Sequence, residues 1–237
     1  MNTFESTDLG AILLHRLAQV EGTSISVTTA LAPDNARKAF EKGRDEEKKG
    51  KWDQAQESFQ KAVLAYPKYA VAWFELGRTQ MRKNDVTSAK HSFEQSLAAD
   101  SMYVNPYDGL AQIAFRANQW HDVVAITDKL LALNSVNFPG DYFYNAVANY
   151  YLRDFDAAEK SARQGIKVDD AHQLPKLSYV LGMILLQKHD LPGASEALQQ
   201  YLRFATQPSE VAEANKQLAE IGRLSATPNS ATVTEKK

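Results

Sequence analysis

Small and large apolar residues recur along the chain at a nearly constant interval. A glycine or alanine stands at Gly43, Gly77, Ala111, Ala146 and Gly182, with steps of 34, 34, 35 and 36 residues. Three further columns keep the same steps: one of mostly small residues (Ala55, Ala89, Val123, Ala158, Ala194), one of large residues (Trp52, Val86, Trp120, Phe155, Leu191) and a mixed one (Phe59, Phe93, Thr127, Ala162, Leu198). Four columns that move together indicate five copies of one structural unit.

Within each copy the apolar spacing is helical and is interrupted once by a short polar break. Trp73, Leu76 and Gly77 share one helical face, and Ala89 and Phe93 share another after the break. Each copy therefore predicts a helix, a turn and a second helix. In the breaks, Gly or Asn permits the left-handed conformation that ends a helix, and Asp can cap the next helix. These positions are Gly50, Asn84 and Asn118 for the turns and Asp85, Asp154 and Asp190 for the caps.

The small residues have a packing role in this pattern. Gly77 opposite Ala89, and Gly182 opposite Ala194, let the two helices of a hairpin approach closely. Large neighbouring side chains then fill the remaining space, as close packing requires.

The order Trp73, Leu76, Gly77, Ala89, Phe93 resembles the consensus of the tetratricopeptide repeat (TPR) family. The preceding repeat matches it at Gly43, Ala55, Phe59, Ala62 and Pro67, whereas Lys42, Ser101, Ser135 and Asn145 depart from it. The resemblance implies an all-α fold, a right-handed α-α superhelix of about five helical hairpins. The array is expected over residues 35–224, with repeats at about 36–69, 70–103, 104–137, 139–172 and 175–208.

The two ends of the chain differ from the repeats. Residues 209–224 carry Val211, Ala214, Leu218 and Ile221 on one helical face, which predicts a helix that caps the last repeat. Residues 225–237 lack apolar periodicity and are expected to form a disordered tail.

The first 34 residues break the period. Ser24 to Thr29 alternate polar and apolar side chains and predict a short β segment. Together with Asp8 to Arg16 this stretch resembles the closing strands of carboxypeptidase regulatory-like β-sandwich modules found ahead of TPR arrays in exported bacterial proteins. That interpretation would make the chain the C-terminal piece of a longer protein. The alternative is an irregular leader that packs over the first repeat.

The resemblance also places a partner site. In TPR arrays the first helix of each pair lines the concave groove, and places five, nine, twelve and thirteen of a repeat share one helical stripe. The expected groove residues, cationic at one end and aromatic at the other, are Phe40, Arg44, Lys48, Phe74, Arg78, Met81, Arg82, Gln112, Phe115, Arg116, Phe143, Val147, Tyr150, Tyr151, Tyr179, Met183 and Leu186.

This groove predicts a protein or peptide partner with acidic residues followed by large apolar ones. A competing interpretation gives Lys48, Arg82 and Arg116 only the role of solvated helix ends, and Tyr150 and Tyr179 ordinary packing. Phe40 and Arg44 occupy the places where chaperone-binding TPR domains carry a Lys and an Asn, so that carboxylate clamp is not expected.

Composition and motifs argue against other classes of function. The net charge of −2 does not favour nucleic acid, and no apolar run is long enough to span a membrane. The chain has no cysteine, its five histidines show no metal-ligand spacing, and the common phosphate-binding and nucleophile motifs are missing. We therefore expect no enzymatic activity, no metal site and no cofactor.

The expected function is that of a protein-protein interaction scaffold that binds a partner segment in the groove. The alternative is the regulatory or sensory part of a larger exported bacterial envelope protein. The chain as given is expected in the cytoplasm, and in the periplasm or envelope if it is a fragment of an exported protein. Self-association through the first helix is a further alternative.

Overall fold

The computed structural model describes residues 26–226, and over these residues the secondary structure is entirely helical. A 3-10 helix spans Val27–Leu31. Eleven α-helices follow: α1 Asp34–Lys48, α2 Trp52–Ala65, α3 Ala70–Arg82, α4 Val86–Ala99, α5 Asn105–Arg116, α6 Trp120–Leu133, α7 Pro139–Tyr151, α8 Phe155–Val168, α9 Lys176–Gln187, α10 Leu191–Leu202 and α11 Pro208–Ala226.

The helices form five hairpins and a last helix, in two compact units divided between Asn137 and Phe138. In the first unit, α1 packs on α2, α3 on α4 and α5 on α6, while α2 contacts α3 and α4 contacts α5. In the second unit, α7 packs on α8 and α9 on α10, α8 contacts α9, and α11 packs on α10. The all-α TPR solenoid with a C-terminal capping helix, expected from the repeats, is confirmed.

The repeated columns of the sequence form the core of each unit. The side chains of one column, Ala55, Ala89, Val123, Ala158 and Ala194, are fully buried. Phe59 and Phe93 of another column are also buried, against the glycines. A Cβ atom on Gly77 would lie 2.6 Å from the Phe93 ring and 3.2 Å from the Ala89 carbonyl oxygen. The close approach predicted for Gly77 and Ala89 is therefore present, and the ring of Phe93 fills the space beside it.

All five hairpin turns contain one residue with positive φ. Gly50, Asn84 and Asn118 adopt this conformation as predicted, and Arg153 and His189 do so as well. The side chains of Asp85, Asp154 and Asp190 accept hydrogen bonds from the first turn of the following helix, which confirms the predicted caps. The turn and the cap thus lie next to each other in three of the five hairpins.

Two departures from the TPR pattern have simple structural explanations. Asn145 is buried at a repeat position that usually carries an apolar residue. Its Oδ1 accepts hydrogen bonds from Ser161 Oγ (2.6 Å) and Asn149 Nδ2 (2.8 Å). Lys42 is exposed, and its Nζ lies 3.7 Å from Glu46 Oε1. A buried amide with hydrogen-bond partners, and an exposed lysine beside a carboxylate, are both compatible with a packed helical hairpin.

The predicted N-terminal β segment is only partly covered, because residues 1–25 lie outside the described residues. Over the covered part the prediction is wrong, since Val27–Leu31 forms a 3-10 helix that packs on α3. Thr28 Oγ1 accepts a hydrogen bond from the Ala70 N–H (3.2 Å), and Ser26 Oγ donates to Asp100 Oδ2 (2.5 Å). These side-chain hydrogen bonds tie the segment to the second hairpin and take the place of pairing with a neighbouring strand.

The last helix, α11, continues to Ala226, two residues into the stretch expected to be a tail. It packs on α10, and its Ala214 and Ile221 are buried in the core of the second unit. Val211 and Leu218 on the same face are half-buried. Between residues 26 and 226, none of the helices combines the length and the hydropathy that crossing a membrane requires.

Candidate functional site

In the first unit, the predicted groove contains two arginines that bind carboxylates of the chain itself. Arg78 Nη1 donates to Glu75 Oε2 at 2.6 Å, and Arg44 Nη1 donates to Glu75 Oε1 at 3.3 Å. Arg78 Nη2 also donates to Glu47 Oε1 at 3.3 Å. We call these four residues the arginine–glutamate network. It joins α1 to α3 and contains as many carboxylates as guanidinium groups.

Glu75 is the buried member of this network, with 4% of its surface exposed. Burial raises the pKa of Glu75 above its ordinary value, and the nearby Arg78 guanidinium opposes this effect most strongly. Tyr103, also buried, lies close enough for the Glu75 charge to add to the effect of burial in raising the pKa of Tyr103. The network is thus part of the packed structure between the first helices.

The other basic residues of the predicted groove differ in their surroundings. The guanidinium of Arg82 stacks 4.0 Å from the centre of the Trp52 ring, and Lys48 Nζ lies 3.6 Å from Asp45 Oδ1. Arg116 is exposed at the end of α5. The surface predicted to be cationic therefore has most of its positive charge balanced or stacked within the chain.

The remaining predicted residues of the first unit contact neighbouring side chains. Phe40 packs between Phe59 and Tyr69, with ring centres 5.7 and 5.2 Å away. Phe74 packs on Phe93 and Tyr103, Phe115 on Trp120, and Met81 on the cluster around Phe93. Gln112 Nε2 donates to both oxygens of Asp108. The aromatic contacts join neighbouring elements of the unit, whereas the hydrogen bonds of Gln112 to Asp108 lie within α5.

In the second unit, predicted groove residues line a pocket of about 370 Å³. Its walls come from the first helices of the two hairpins, α7 and α9, together with α10 and the start of α11. The lining side chains, which we call the second-unit pocket, are Phe143, Lys176, Tyr179, Val180, Tyr201, Ser209, Glu210 and Glu213. The sequence had identified Phe143 and Tyr179, and the structure brings them together.

Glu210 is held in one orientation at the edge of this pocket. Lys176 Nζ lies 2.9 Å from its Oε1, and Tyr201 Oη donates to its Oε2 at 2.8 Å. Both contacts lower the pKa of Glu210, Lys176 more strongly than Tyr201. Burial, with a smaller contribution from the bond to Glu210, raises the pKa of Tyr201 to about 12. At neutral pH the edge therefore carries an ionised carboxylate and a neutral phenol.

The five other predicted residues of the second unit lie outside the pocket lining. Tyr150 and Leu186 are half-buried against the core of the unit. Val147 and Met183 are half-buried as well, whereas Tyr151 has 58% of its surface exposed. They extend the surface of α7 and α9 beyond the pocket.

Six pocket residues were not predicted: Lys176, Val180, Tyr201, Ser209, Glu210 and Glu213. Three of them belong to α11, which sequence reasoning treated only as a cap. The helix begins about one repeat length after α9, at Pro208. This spacing was the available signal that α11 occupies the place of a sixth first helix.

Metal binding finds no support in the described part of the chain, since no three His, Asp or Glu side chains converge there as ligands would. Three polar groups of the second-unit pocket, those of Lys176, Tyr201 and Glu210, are engaged in the ion pair and hydrogen bond described above. The pocket offers aromatic surface and a charged edge, which are features of a binding pocket.

The fold is similar to those of several solved structures. YrrB, described as a TPR protein with an unusual peptide-binding site, has a TM-score of 0.67 and 17% identity, with 81% of this chain and 98% of YrrB covered. MamA has a TM-score of 0.63 and 17% identity, covering 79% of this chain and 95% of MamA. PilF of Pseudomonas aeruginosa has a TM-score of 0.60 and 12% identity, covering 81% and 90%.

Comparison with curated protein sequences gave no match. The family described as "Tetratricopeptide repeat" matches residues 40–103 and 145–210. Together these two segments make up more than half of the chain, and they include the helical hairpins on which the sequence resemblance was based. The chain therefore belongs to the tetratricopeptide repeat family.

Proposed function

We propose that this protein is an interaction scaffold without catalytic activity of its own, and that it binds a partner segment at the second-unit pocket. The observation that carries the proposal is the pocket itself, in which Phe143 of α7 and Tyr179 of α9 face a shared space. The first helix of each hairpin is expected, from the repeat pattern, to line the surface that contacts a partner. An aromatic pocket on that surface is suited to hold a side chain of another protein.

The size of the pocket supports this use. A volume of about 370 Å³ lies near the lower end of the range for ligand pockets, which is roughly 300–1,000 Å³. Such a space accommodates one or two large side chains, rather than an extended cofactor. Binding energy in protein interfaces is concentrated in a few aromatic or large apolar anchors that enter pockets of this kind.

The comparison structures agree with this proposal at the level of the fold. YrrB is described as having a peptide-binding site, and its fold covers most of this chain. Stacked helical hairpins present a long surface with little constraint on its sequence, which suits the recognition of extended or helical segments. We propose the same general mode, a peptide segment on first helices, for this protein.

The sequence predicted that the groove arginines bind acidic residues of a partner, and we propose a smaller role for these arginines. Arg44 and Arg78 already contact Glu75 and Glu47, so an acidic partner would have to compete with carboxylates that are held in place. Competition of this kind reduces the gain from a new ion pair. We therefore assign the main anchoring role to the second-unit pocket rather than to the arginines.

The proposal is tested by affinity capture from the source organism with the whole chain as bait. Three baits are compared: the wild type, Phe143→Ala, which removes one aromatic wall, and Phe204→Ala, a matched control. Phe204 is an exposed aromatic residue of the same unit that stacks on His172 outside the pocket. We expect one specific partner that the wild type and Phe204→Ala retain and that Phe143→Ala loses. A partner retained equally by all three baits would contradict the assignment of the site.

A further inference from the structure

The edge of the second-unit pocket carries more negative than positive charge. Its lining includes two carboxylates, Glu210 and Glu213, and one ammonium group, Lys176. Glu210 and Glu213 are three residues apart on α11 and so lie on one face of the helix. The ammonium group is already bound to Glu210.

Glu213 is the carboxylate with the weaker partners. Its Oε1 accepts a hydrogen bond from Gln217 Nε2 at 2.8 Å, while its Oε2 lies 3.8 Å from Lys216 Nζ. The Glu213 side chain is 45% exposed and that of Lys216 is 76% exposed. An exposed ion pair at this distance contributes little, so the carboxylate can accept a better-placed cation at small cost.

The aromatic walls of the pocket also favour a positively charged ligand. Tyr179 and Tyr201 lie with ring centres 5.3 Å apart, and Phe143 completes the apolar lining. The faces of aromatic rings attract ammonium and guanidinium groups, especially where carboxylates stand nearby. The surroundings of the pocket therefore complement a ligand that is both apolar and basic.

We infer that the partner segment places a large apolar or aromatic side chain in the second-unit pocket and a Lys or Arg beside it, against Glu213 and Glu210. This inference rests on the proposed function, because it names the chemistry of the ligand at the same site. It differs from the ligand expected from the sequence, in which acidic residues precede the apolar ones. The difference arises because α11 contributes carboxylates to the pocket edge.

The test first selects, from a library of displayed random short peptides, those that bind the purified whole chain. The affinity of one selected peptide is then measured in solution. Selected sequences should combine a large apolar residue with a nearby Lys or Arg, and their binding should weaken in Phe143→Ala. Glu213→Arg, which reverses the charge at the edge, should weaken binding about tenfold and make it less sensitive to salt. The same selection on Glu213→Arg should enrich Asp and Glu beside the apolar residue.

The matched control is Glu220→Arg, which makes the same change of charge on α11 outside the pocket lining, where Glu220 pairs with Arg223. Its effect on affinity should stay within about twofold, as for other exposed charges. Peptides that require Phe143 but bind Glu213→Arg as well as the wild type would overturn the inference and leave the proposed function intact. If no selected peptide depends on Phe143, both the inference and the proposed site are wrong.

Discussion

Glu75 Oε2 and Arg78 Nη1 lie 2.6 Å apart on α3, and Arg78 belongs to the stripe of residues that the repeat pattern predicts to contact a partner. Glu75 is almost fully buried, while the Arg78 side chain is 48% exposed. The buried carboxylate of Glu75 therefore holds the Arg78 guanidinium on its protein side, and the other side of the guanidinium contacts solvent. A residue expected to hold a partner's carboxylate is already bound to one of the chain's own.

This burial predicts an unusual pH dependence. The folded-state pKa of Glu75 is raised above its unfolded value, so the folded protein binds this proton more tightly. The stability contributed by protonated Glu75 is complete below the unfolded pKa and is lost as pH rises through the folded pKa. Glutamine does not titrate, so the variant Glu75→Gln does not lose this stability as the pH rises. Urea unfolding should show the stability of Glu75→Gln relative to the wild type increasing from about pH 4 to about pH 7.

The control for this experiment is Glu94→Gln, since Glu94 is exposed and its ion pair with Lys90 is long, at 4.0 Å. Its free energy of unfolding should stay within about 0.5 kcal/mol of the wild-type value across the same measurements, as for other exposed substitutions. A Glu75→Gln variant that becomes relatively less stable toward neutral pH would show that the arginines outweigh the cost of burial.

The packing of glycine against an aromatic ring gives a second prediction. A methyl group on Gly77 would lie 2.6 Å from Phe93, whose ring is also close to Gly109 on its other side. The ring has no room to move away, so Gly77→Ala should reduce the free energy of unfolding by about 1–3 kcal/mol. In Gly222→Ala, where the added methyl group meets nothing within 4 Å, stability should rise by up to about 1 kcal/mol. Chemical denaturation of the two variants measures both effects, and equal changes would be incompatible with the packing described here.

The hairpin turn before α10 gives a third prediction. His189 is exposed and has a φ of 60°, a conformation that costs side-chain-bearing residues about 1–2 kcal/mol relative to glycine. His189→Gly should raise the free energy of unfolding by about 1 kcal/mol. Asn84→Gly, at the equivalent turn, should gain less because asparagine tolerates this conformation. Thermal unfolding of both variants would refute this account if Asn84→Gly gained more.

The edge of the second-unit pocket gives a fourth prediction, which concerns pKa values. Lys176 lowers the pKa of Glu210 more than Tyr201 does. The pKa of Glu210 should therefore rise in both Lys176→Ala and Tyr201→Phe, with the larger rise in Lys176→Ala. An NMR titration of the Glu210 carboxyl carbon measures the order directly, and the reverse order would mean that the phenol is the stronger contact.

Much of the fold could be predicted because it depends on local chemistry and on spacing. Gly50, Asn84 and Asn118 could be assigned to turns since Gly and Asn favour positive φ. Arg153 and His189 take the same conformation without that preference, because the flanking helices pack in the same way in every hairpin. The repeat determines the backbone there, and the residue type does not reveal it.

The candidate site was harder to predict from the sequence. The helical period places Arg78 on the first-helix face, but it does not show that Glu47, 31 residues earlier, meets the same guanidinium. In the same way, the pair of Lys176 and Glu210 joins residues of different helices. Ion pairs of this kind depend on the relative position of two helices, which the period of a single helix does not contain.

The measurement that most directly tests the central claim is the affinity of the captured partner's binding segment for the purified whole chain, by fluorescence titration. The wild type is compared with Phe143→Ala and Phe204→Ala, after thermal unfolding has shown that all three are folded. Loss of an anchor contact in a binding pocket should weaken affinity about tenfold or more in Phe143→Ala and leave Phe204→Ala within about twofold. Equal affinity for Phe143→Ala and the wild type would contradict the claim that the second-unit pocket holds the partner.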